Sequence, residues 1–314
     1  MTSSTRAIAS LDTDRDYRTN TLFRLTLRRI LRQRSAVIGL SIMSFVIFVA
    51  VFASYLAPFD PSEDFIGEED IKKRAAPCIH VLGCPADQPQ HIMGVDGNVR
   101  DVFSRIIHGS RYSLIVGFGS VSFAILVGTF LGAISGYVGG WLDNVIMRLM
   151  DVLLAFPSLL LAIAIIMVLG PGLDKALLAI AIVTIPVYAR VIRGGVLSVR
   201  ETEYVEASRA LGASHASILF KRILPNALAP LIVQGTLGIA GAILEAAALS
   251  FIGLGAQPPL PEWGTMLSSE RNQVFSAPHL VFFPGIAIMI TVLGFNLLGD
   301  GLRDALDPRL SQVK

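Results

Sequence analysis

The sequence contains six long runs of apolar residues, and these runs restrict the possible folds more than any other feature. Each run has about the 20 residues that a helix needs to cross ~30 Å of hydrocarbon. Only 16% of the residues are charged, whereas soluble domains carry roughly 25%. The sequence therefore predicts an all-α polytopic membrane protein with six transmembrane helices. The predicted spans are roughly residues 36–57, 113–136, 148–169, 175–193, 227–254 and 280–299.

Lysine and arginine are unevenly distributed among the polar segments, and this distribution predicts the orientation of the spans. The first 35 residues hold eight of them, the 189–226 segment holds six, and the C-terminal tail holds three. Because segments rich in these residues stay in the cytoplasm, both termini are expected there. The 58–112 loop also holds six basic residues, but it has nine acidic ones. A loop of this length has little influence on the orientation of the spans.

This orientation divides the chain into five parts. The first apolar run is too long for the core of a signal peptide, so it is interpreted as a retained span. The parts are a disordered cytoplasmic tail (1–16), a cytoplasmic amphipathic helix with the first span (17–57), an extracytoplasmic loop (58–112), a five-span core that includes a cytoplasmic loop at 198–225 (113–299), and a cytoplasmic C-terminal tail (300–314).

The segment before the first span has the pattern of an amphipathic helix. Arg24, Arg28 and Arg32 lie four residues apart and share one face of such a helix. A cationic helix of this kind can lie on the anionic inner leaflet of the membrane. Contact with a partner subunit is the alternative.

The 198–225 loop is polar and contains the start and stop signals of two short helices. Ser198 and Glu201 have the spacing of a capping box that starts a helix, and Gly212 is a natural stop. Ser214 can cap a second helix, and Pro225 is expected to end it before the next apolar run.

Small residues share one face of the first of these helices. Ala207, Ala210 and Ala213 would lie beside the charged Glu206 and Arg209. Small side chains let the backbone of another protein approach closely. The loop is therefore predicted to be a docking surface.

This loop resembles the EAA loop of ABC-importer permeases. The family pattern is EAA, three residues, Gly, nine residues, Ile, one residue and Leu-Pro. Here Ser208 replaces the second Ala, and Arg222 stands where Ile is expected, with Ile223 one place later. The resemblance implies that the loop couples partner ATPases to the spans, and the residues expected to do so are Glu206, Ala207, Ser208, Arg209 and Gly212.

Four further stretches are similar to the C-type permease subunit of dipeptide and oligopeptide ABC importers. The stretches are FRLTLRRILRQRSAVIGLSIMSF, HIMGVDGNVRDVFSRIIHGSRYSLIVG, LSFIGLGAQPPLPEWGTML and FNLLGDGLRDALDPRL. The second stretch has a cluster of Asp and Arg before a span, and the alternative role of such a cluster is to anchor the span at the membrane interface.

The resemblance implies a type I importer core in the cytoplasmic (inner) membrane, in which this chain is one of several subunits. Its expected partners are a second homologous permease, two ABC ATPase subunits, an extracytoplasmic peptide-binding protein and membrane lipid, with no nucleic acid. The ATPases would hold ATP and Mg, and this chain would bind no cofactor or metal. Relatives carry dipeptides, oligopeptides, glutathione or nickel complexes, and the sequence does not choose among them.

Other functional classes lack the motifs that they need. No Lys is followed by Ser or Thr, so the chain has no P-loop, and H-E-x-x-H and G-x-S-x-G are also absent. An enzymatic role is therefore not expected. An ATP-independent secondary transporter or channel remains the alternative, but it would leave the 198–225 loop without a role.

Polar residues inside the apolar runs are candidates for a substrate path, because such residues are costly in lipid. Glu245 lies deep in the fifth run, Gln234 three turns before it, and Asn296 near the end of the sixth. Each of these residues could line a solvated path. A buried polar pair that holds helices or subunits together is the alternative.

The only two cysteines, Cys78 and Cys84, lie in the extracytoplasmic loop. An oxidising compartment favours a disulfide between them. Free thiols are an alternative, and so is a metal site with His80 and His91. The spacing of these four residues matches no common zinc pattern.

Overall fold

The computed structural model describes residues 30–67, 71–85 and 90–306. The tail at 1–16, the arginines Arg24 and Arg28, and residues 307–314 lie outside this part of the chain. The described residues form helices, with two isolated β-bridges and no strand. The main helices are α1 (Arg34–Val51), α2 (Ala53–Leu56), α3 (Val102–Val138), α4 (Gly140–Leu154), α5 (Ser158–Leu169), α6 (Leu173–Arg200), α7 (Glu203–Ala210), α8 (His215–Ile218), α9 (Leu224–Phe251), α10 (Trp263–Glu270) and α11 (His279–Leu306).

Five helical segments are long and apolar enough to cross a membrane, and they confirm the predicted all-α polytopic class. They are α1, α3, α6, the continuous segment His215–Phe251 and α11. The predicted span at 148–169 is different, because α4 and α5 meet there at a bend of 93°. Pro157 lies at this break, not inside a helix. Proline disfavours helical geometry in the residue before it, which explains why α4 stops short of it.

Helices α3 and α6 form the centre of the bundle, where glycines let their backbones approach closely. A Cβ on Gly128 would lie 2.8 Å from Tyr188 Cβ, and one on Gly136 would lie 3.0 Å from Arg193 O. In lipid this close packing replaces the hydrophobic effect as the reason for helices to associate. Pro186 lies buried inside α6, where neighbouring helices cover it.

Helices α1 and α11 pack side by side and bring both ends of the described chain to the same end of the bundle. Gly39 and Gly301 are so close to the opposite helix that a Cβ would overlap Leu298 and Ala36. The distribution of Lys and Arg predicts that this end is cytoplasmic.

The opposite end carries a covering that we call the outer cap, namely the described residues of 58–101 together with residues 252–278. Helix α10 lies in the outer cap and its first four residues are buried. Glu262 caps α10 by accepting hydrogen bonds from Gly264 N at 3.0 Å and Thr265 N at 2.9 Å. Trp263 Nε1 donates to Ile106 O at 3.0 Å. The part of the outer cap at 252–278 is therefore partly a helix packed into the protein.

Candidate functional site at the cytoplasmic end

The polar segment at the cytoplasmic end connects two membrane-crossing helices and begins later than predicted. Helix α6 continues to Arg200, so Ser198 lies inside its last turn and does not start a new helix. The capping-box prediction is wrong at this point. The N-cap residue of α7 is Thr202, and Glu201 instead pairs with Arg200 at 3.0 Å. Residues 202–216 are called the coupling segment below.

Gly212 ends α7 as predicted. Its φ of +78° lies in the left-handed region, which glycine adopts without the steric cost that a Cβ brings. Two backbone hydrogen bonds close the turn, from Gly212 N to Arg209 O at 3.0 Å and from Ala213 N to Ser208 O at 3.1 Å. A Cβ on Gly212 would meet nothing within 4 Å, so the position requires glycine for its conformation and not for space.

The second helix does not end at Pro225, which corrects the sequence prediction. Ser214 caps α8, as expected. The chain then passes through a π-helical turn (Leu219–Ile223) directly into α9, with Pro225 in the first turn of that helix. A proline has no N–H to donate and its ring crowds the carbonyl four residues before it. The wider π turn is where this missing hydrogen bond is accommodated.

The coupling segment presents an exposed surface with one buried anchor. Val205 is fully buried, whereas Glu206, Ala207 and every residue from Arg209 to Ala216 are exposed. Leu211 is an apolar side chain that is 88% exposed at the tip. Within the described part of the chain, neither Glu206 nor Arg209 takes part in an ion pair. Ser208 is half-buried, and its hydroxyl donates to Tyr204 O at 2.7 Å.

Hydrogen bonds tie the coupling segment to the ends of the spans. Tyr137, at the end of α3, forms a hydrogen bond of 2.8 Å with His215 Nδ1. Asn226 Nδ2 in α9 donates to Tyr204 Oη at 3.2 Å. A displacement of this segment would therefore act on α3 and α9 as well as on α6.

Two ion pairs join α6 to α4, and sequence reasoning missed both. Arg193 binds Asp143 through two hydrogen bonds of 2.6 Å, and Arg190 binds Asp151 at 2.5 Å. The paired residues are 50 and 39 positions apart. One signal was available: Arg190 and Arg193 lie three apart on one helical face at the end of an apolar run.

The structure brings two of the three intramembrane candidates to one helix face and leaves the third elsewhere. Gln234 and Glu245 are both half-buried in α9, and a spacing of eleven residues returns a helix to nearly the same face. Asn296 is exposed on the surface of α11. Within the described residues it has no hydrogen bond to either of the others.

Glu245 faces the bend between α4 and α5. Its carboxylate accepts a hydrogen bond from the side chain of Ser158, the first residue of α5, and lies close enough to Tyr188 for the two to interact electrostatically. Glu245 Oε2 is buried and has no hydrogen-bond partner in the described part of the protein. A buried carboxylate oxygen without a donor is costly.

At the opposite end, Cys78 and Cys84 are joined in a disulfide with a Cα–Cα distance of 5.4 Å. Cys78 N also donates to His91 O at 2.8 Å. The ring of His91, which the sequence offered as a possible metal ligand, is instead hydrogen-bonded to Asp101 at 2.9 Å.

Two family models match separate parts of the chain. A model described as "Binding-protein-dependent transport system inner membrane component" matches residues 128–312. A second, for the N-terminal transmembrane domain of oligopeptide transport permease C, matches residues 21–77. The first match includes the coupling segment, α9 and α11.

The chain is also similar over most of its length to several curated permeases. It is 48% identical to the dipeptide transport system permease protein DppC of Alkalihalophilus pseudofirmus, over 92% of this chain and 90% of the relative. Identity to the di/tripeptide permease DppC of Pseudomonas aeruginosa is 47%, over 89% of this chain and 90% of the relative. Identity to the glutathione permease GsiD of Pectobacterium atrosepticum is 43%, over 96% of both chains.

Among solved structures, the chain is similar to the MetNI methionine ABC transporter in inward-facing conformations. The TM-score is 0.54 at 22% identity, and the match covers 65% of this chain and 96% of the other. At this level of identity the similarity concerns the fold alone.

Proposed function

The chain belongs to the family of binding-protein-dependent transport system inner membrane components, and we propose that it is one permease subunit of an ATP-driven ABC importer that takes up di- or oligopeptides. The observation that carries this proposal is the coupling segment, an exposed helix–glycine–helix with unpaired Glu206 and Arg209 between two spans. The peptide class rests on the relatives named for dipeptides, di/tripeptides and glutathione, which is itself a tripeptide.

The coupling segment is well placed to move two spans together. Only Glu201 separates it from α6, and at its other end the helix is continuous into α9. A push on Glu206, Ala207, Ser208 or Arg209 would therefore displace both helices. Gly212 keeps the two short helices at a fixed angle, since its left-handed conformation is closed by backbone hydrogen bonds.

ATP would act by shifting the population of two packings of the bundle. Inverting a two-state population from 1:99 to 99:1 requires about 5.5 kcal/mol of preference for one state. Two ATPase subunits that close on ATP and Mg would supply this preference by binding the coupling segment differently in each state. This chain contributes no nucleotide site. Access to the path would then alternate between the two sides of the membrane.

We place two further kinds of partner around this subunit. A second, homologous permease would complete the path, and an extracytoplasmic peptide-binding protein would deliver the substrate at the outer cap. The exposed position of Asn296 on α11 fits a face that another subunit or the path covers, because an exposed amide is unfavourable against lipid.

Glu245 and Gln234 are proposed to line the path. They share one face of α9, the helix that the coupling segment would move, and Glu245 Oε2 lacks a partner within the described residues. A carboxylate of this kind suits the α-ammonium group of a peptide. The position of Glu245 beside the α4–α5 bend supports this proposal, because a change of packing at the bend would alter access to the carboxylate.

The path proposal predicts that Glu245→Ala lowers peptide uptake while the subunit still inserts into the membrane. The measurement is uptake of a labelled dipeptide by vesicles containing the assembled transporter, normalised to the amount of subunit. Ser158→Ala is the matched control, because it removes the hydrogen bond to Glu245 but leaves the carboxylate. Wild-type uptake by a well-inserted Glu245→Ala variant would remove Glu245 from the path.

The importer proposal itself is tested by purification and inhibition. Affinity purification of this chain from its native membrane is expected to recover ATPase subunits, and uptake is expected to stop with vanadate, which traps ABC ATPases. An ATP-independent transporter or channel would instead give vanadate-resistant uptake and no associated ATPase. That result would overturn the proposal.

A further inference from the structure

Tyr188 of α6 lies between two glycines that belong to neighbouring helices. It is the largest of the described side chains that are less than 2% exposed. A Cβ on Gly128 of α3 would lie 2.8 Å from Tyr188 Cβ. A Cβ on Gly238 of α9 would overlap Tyr188 Oη and would lie 3.3 Å from Tyr188 Cζ. The side chain therefore fills the distance from α3 to α9, and its hydroxyl packs on Gly238.

The glycine at position 238 provides space for this hydroxyl. Glycine inside a helix is less favourable than alanine, and Gly238 lies in the middle of α9. Gly241, three residues later in the same helix, has nothing within 4 Å of the position of a Cβ. The two glycines thus differ in one respect, since only at Gly238 does another helix occupy the place of a methyl group.

Glu245 lies on nearly the same face of α9 as Gly238, because the two are seven residues apart and seven residues make about two turns. Side chains on a helix are directed towards its N-terminus, so the carboxylate is directed back towards Gly238. It interacts electrostatically with Tyr188 of α6 and accepts a hydrogen bond from Ser158 of α5. Its position therefore depends on how α9 sits against these two helices.

The contact between Tyr188 and Gly238 fixes the rotation of α9 against α6. A rotation by one residue would bring Leu237 or Ile239 to the place of Gly238. Either side chain is larger than the methyl group that already overlaps the hydroxyl. Close-packed interiors do not absorb such a change without displacing their neighbours.

We propose that Tyr188 is a positioning residue for Glu245. Its hydroxyl, packed on Gly238, sets the place of α9 against α6 and so the place of the carboxylate. The coupling segment joins these same two helices, and the contact keeps Glu245 in register with α6 when the segment moves. The consequence for transport rests on the proposed function, in which Glu245 lines the path.

The test measures how close residues 158 and 245 lie in the assembled transporter. Ser158→Cys and Glu245→Cys are introduced together, and a short bis-methanethiosulfonate linker is added; the two native cysteines are joined in a disulfide and do not react. This reference is expected to cross-link. Adding Gly238→Ala should abolish most of the product, because the methyl group displaces the hydroxyl and α9 with it. Adding Tyr188→Phe as well should recover the product, because the methyl group then takes the place of the deleted hydroxyl.

Gly241→Ala is the matched control. It adds the same methyl group to the same helix where nothing lies within 4 Å, and the yield should not change. Equal yields for Gly238→Ala and Gly241→Ala would overturn the proposal. Failure of Tyr188→Phe to restore the Gly238→Ala variant would overturn it too, since general destabilisation by the methyl group is not reversed when a second buried group is deleted.

Uptake separates this proposal from the proposed function. With Ser158 and Glu245 in place, the KM for dipeptide uptake by vesicles is expected to rise about tenfold in Gly238→Ala, the scale of one hydrogen bond to a charged group. The KM should return towards the wild-type value when Tyr188→Phe is added. The expected cross-links without any change in KM would overturn the path role of Glu245 and leave Tyr188 as the residue that positions it.

Discussion

Charged residues in the coupling segment are exposed and unpaired, whereas one group of charged residues in and beside the outer cap is buried and paired. Glu206 and Arg209 contact no opposite charge within the described residues. By contrast, Asp96, Arg105 and Glu270 are each at least 93% buried. The two regions have similar residue types and opposite environments.

The outer cap uses its charges to hold two distant loops together. Glu270 accepts hydrogen bonds from Arg74 Nε and Gly97 N, both at 2.9 Å. Asp96 binds Arg100 at 2.8 Å and lies 3.5 Å from Arg105. Burying a charge is costly unless it is paired and hydrogen-bonded. The outer cap meets this condition within one chain.

The coupling segment has no such requirement, because its charges stay in water until a partner arrives. Exposed charges without partners contribute little to stability but remain available for binding. The comparison therefore separates a region that the chain completes by itself from a region that, in the proposed function, is completed by partner subunits. Variants in the outer cap should change stability, and variants in the coupling segment should change transport.

The largest effect on stability is expected for Asp96→Ala, because it leaves the buried Arg105 without its carboxylate. Removing one partner of a buried pair costs ~3–5 kcal/mol. The measurement is the free energy of unfolding of the purified subunit in detergent. Glu63→Ala, on the exposed part of the same cap, is the control and should change stability by less than ~0.5 kcal/mol. Equal stability of the two variants would show that ion pairs do not hold the cap.

A smaller loss is expected when Cys78 and Cys84 are both replaced by Ser. The disulfide closes a loop with a sequence separation of six, and the entropic model assigns such a loop about 2 kcal/mol. Reductant should lower the stability of the wild type by a similar amount and leave the double variant unchanged. Reaction of both cysteines with a membrane-impermeant maleimide, on intact cells without reductant, would contradict the disulfide.

Gly212→Val is expected to cost about 1–2 kcal/mol, because a β-branched residue is strained in the left-handed region. Its main effect should be on transport: ATP hydrolysis by the reconstituted complex should continue while peptide uptake is lost. Gly212→Asn is the matched variant, since Asn tolerates this conformation, and it should retain most uptake. Full uptake by Gly212→Val would contradict a coupling role for this turn.

The smallest effect on stability, within ~0.5 kcal/mol, is expected for Glu206→Lys, since the side chain is exposed and unpaired. Uptake should nevertheless fall, because the reversed charge would face the ATPase surface that binds the wild-type carboxylate. Glu63→Lys makes the same change at the opposite end of the molecule and should leave both stability and coupling unchanged. If the two variants behave alike in uptake, the contrast between the two regions is wrong.

Much of the fold could be predicted from contiguous residues. Apolar runs predict spans because hydrocarbon accepts only helices with satisfied backbone groups. The stop at Gly212 and the cap at Ser214 were also predictable, because each depends on one residue and its immediate neighbours. The start of α7 was mispredicted because Ser198 and Glu201 have capping-box spacing although α6 continues through Ser198.

The two errors at proline have different causes. The run at 148–169 is continuous in hydropathy but bends at Pro157, because proline disfavours helical geometry in the residue before it. Pro225 does not end a helix, because a π turn before it accommodates the missing hydrogen bond. The sequence likewise showed Gln234, Glu245 and Asn296 as equivalent polar residues, whereas only the first two share a helix face.

The sequence by itself determined the all-α membrane class and the approximate position of the apolar segments, and it predicts their orientation and the coupling segment. Hydropathy, charge and glycine conformation are properties of residues close together in the chain. Only the tertiary structure decided which charges are paired. Arg193 with Asp143 and Arg74 with Glu270 are 50 and 196 residues apart, and a pairing over such distances exists only after the helices have packed. The same holds for the close packing of Gly39 on Leu298, which are far apart in the chain and meet only once α1 and α11 have packed.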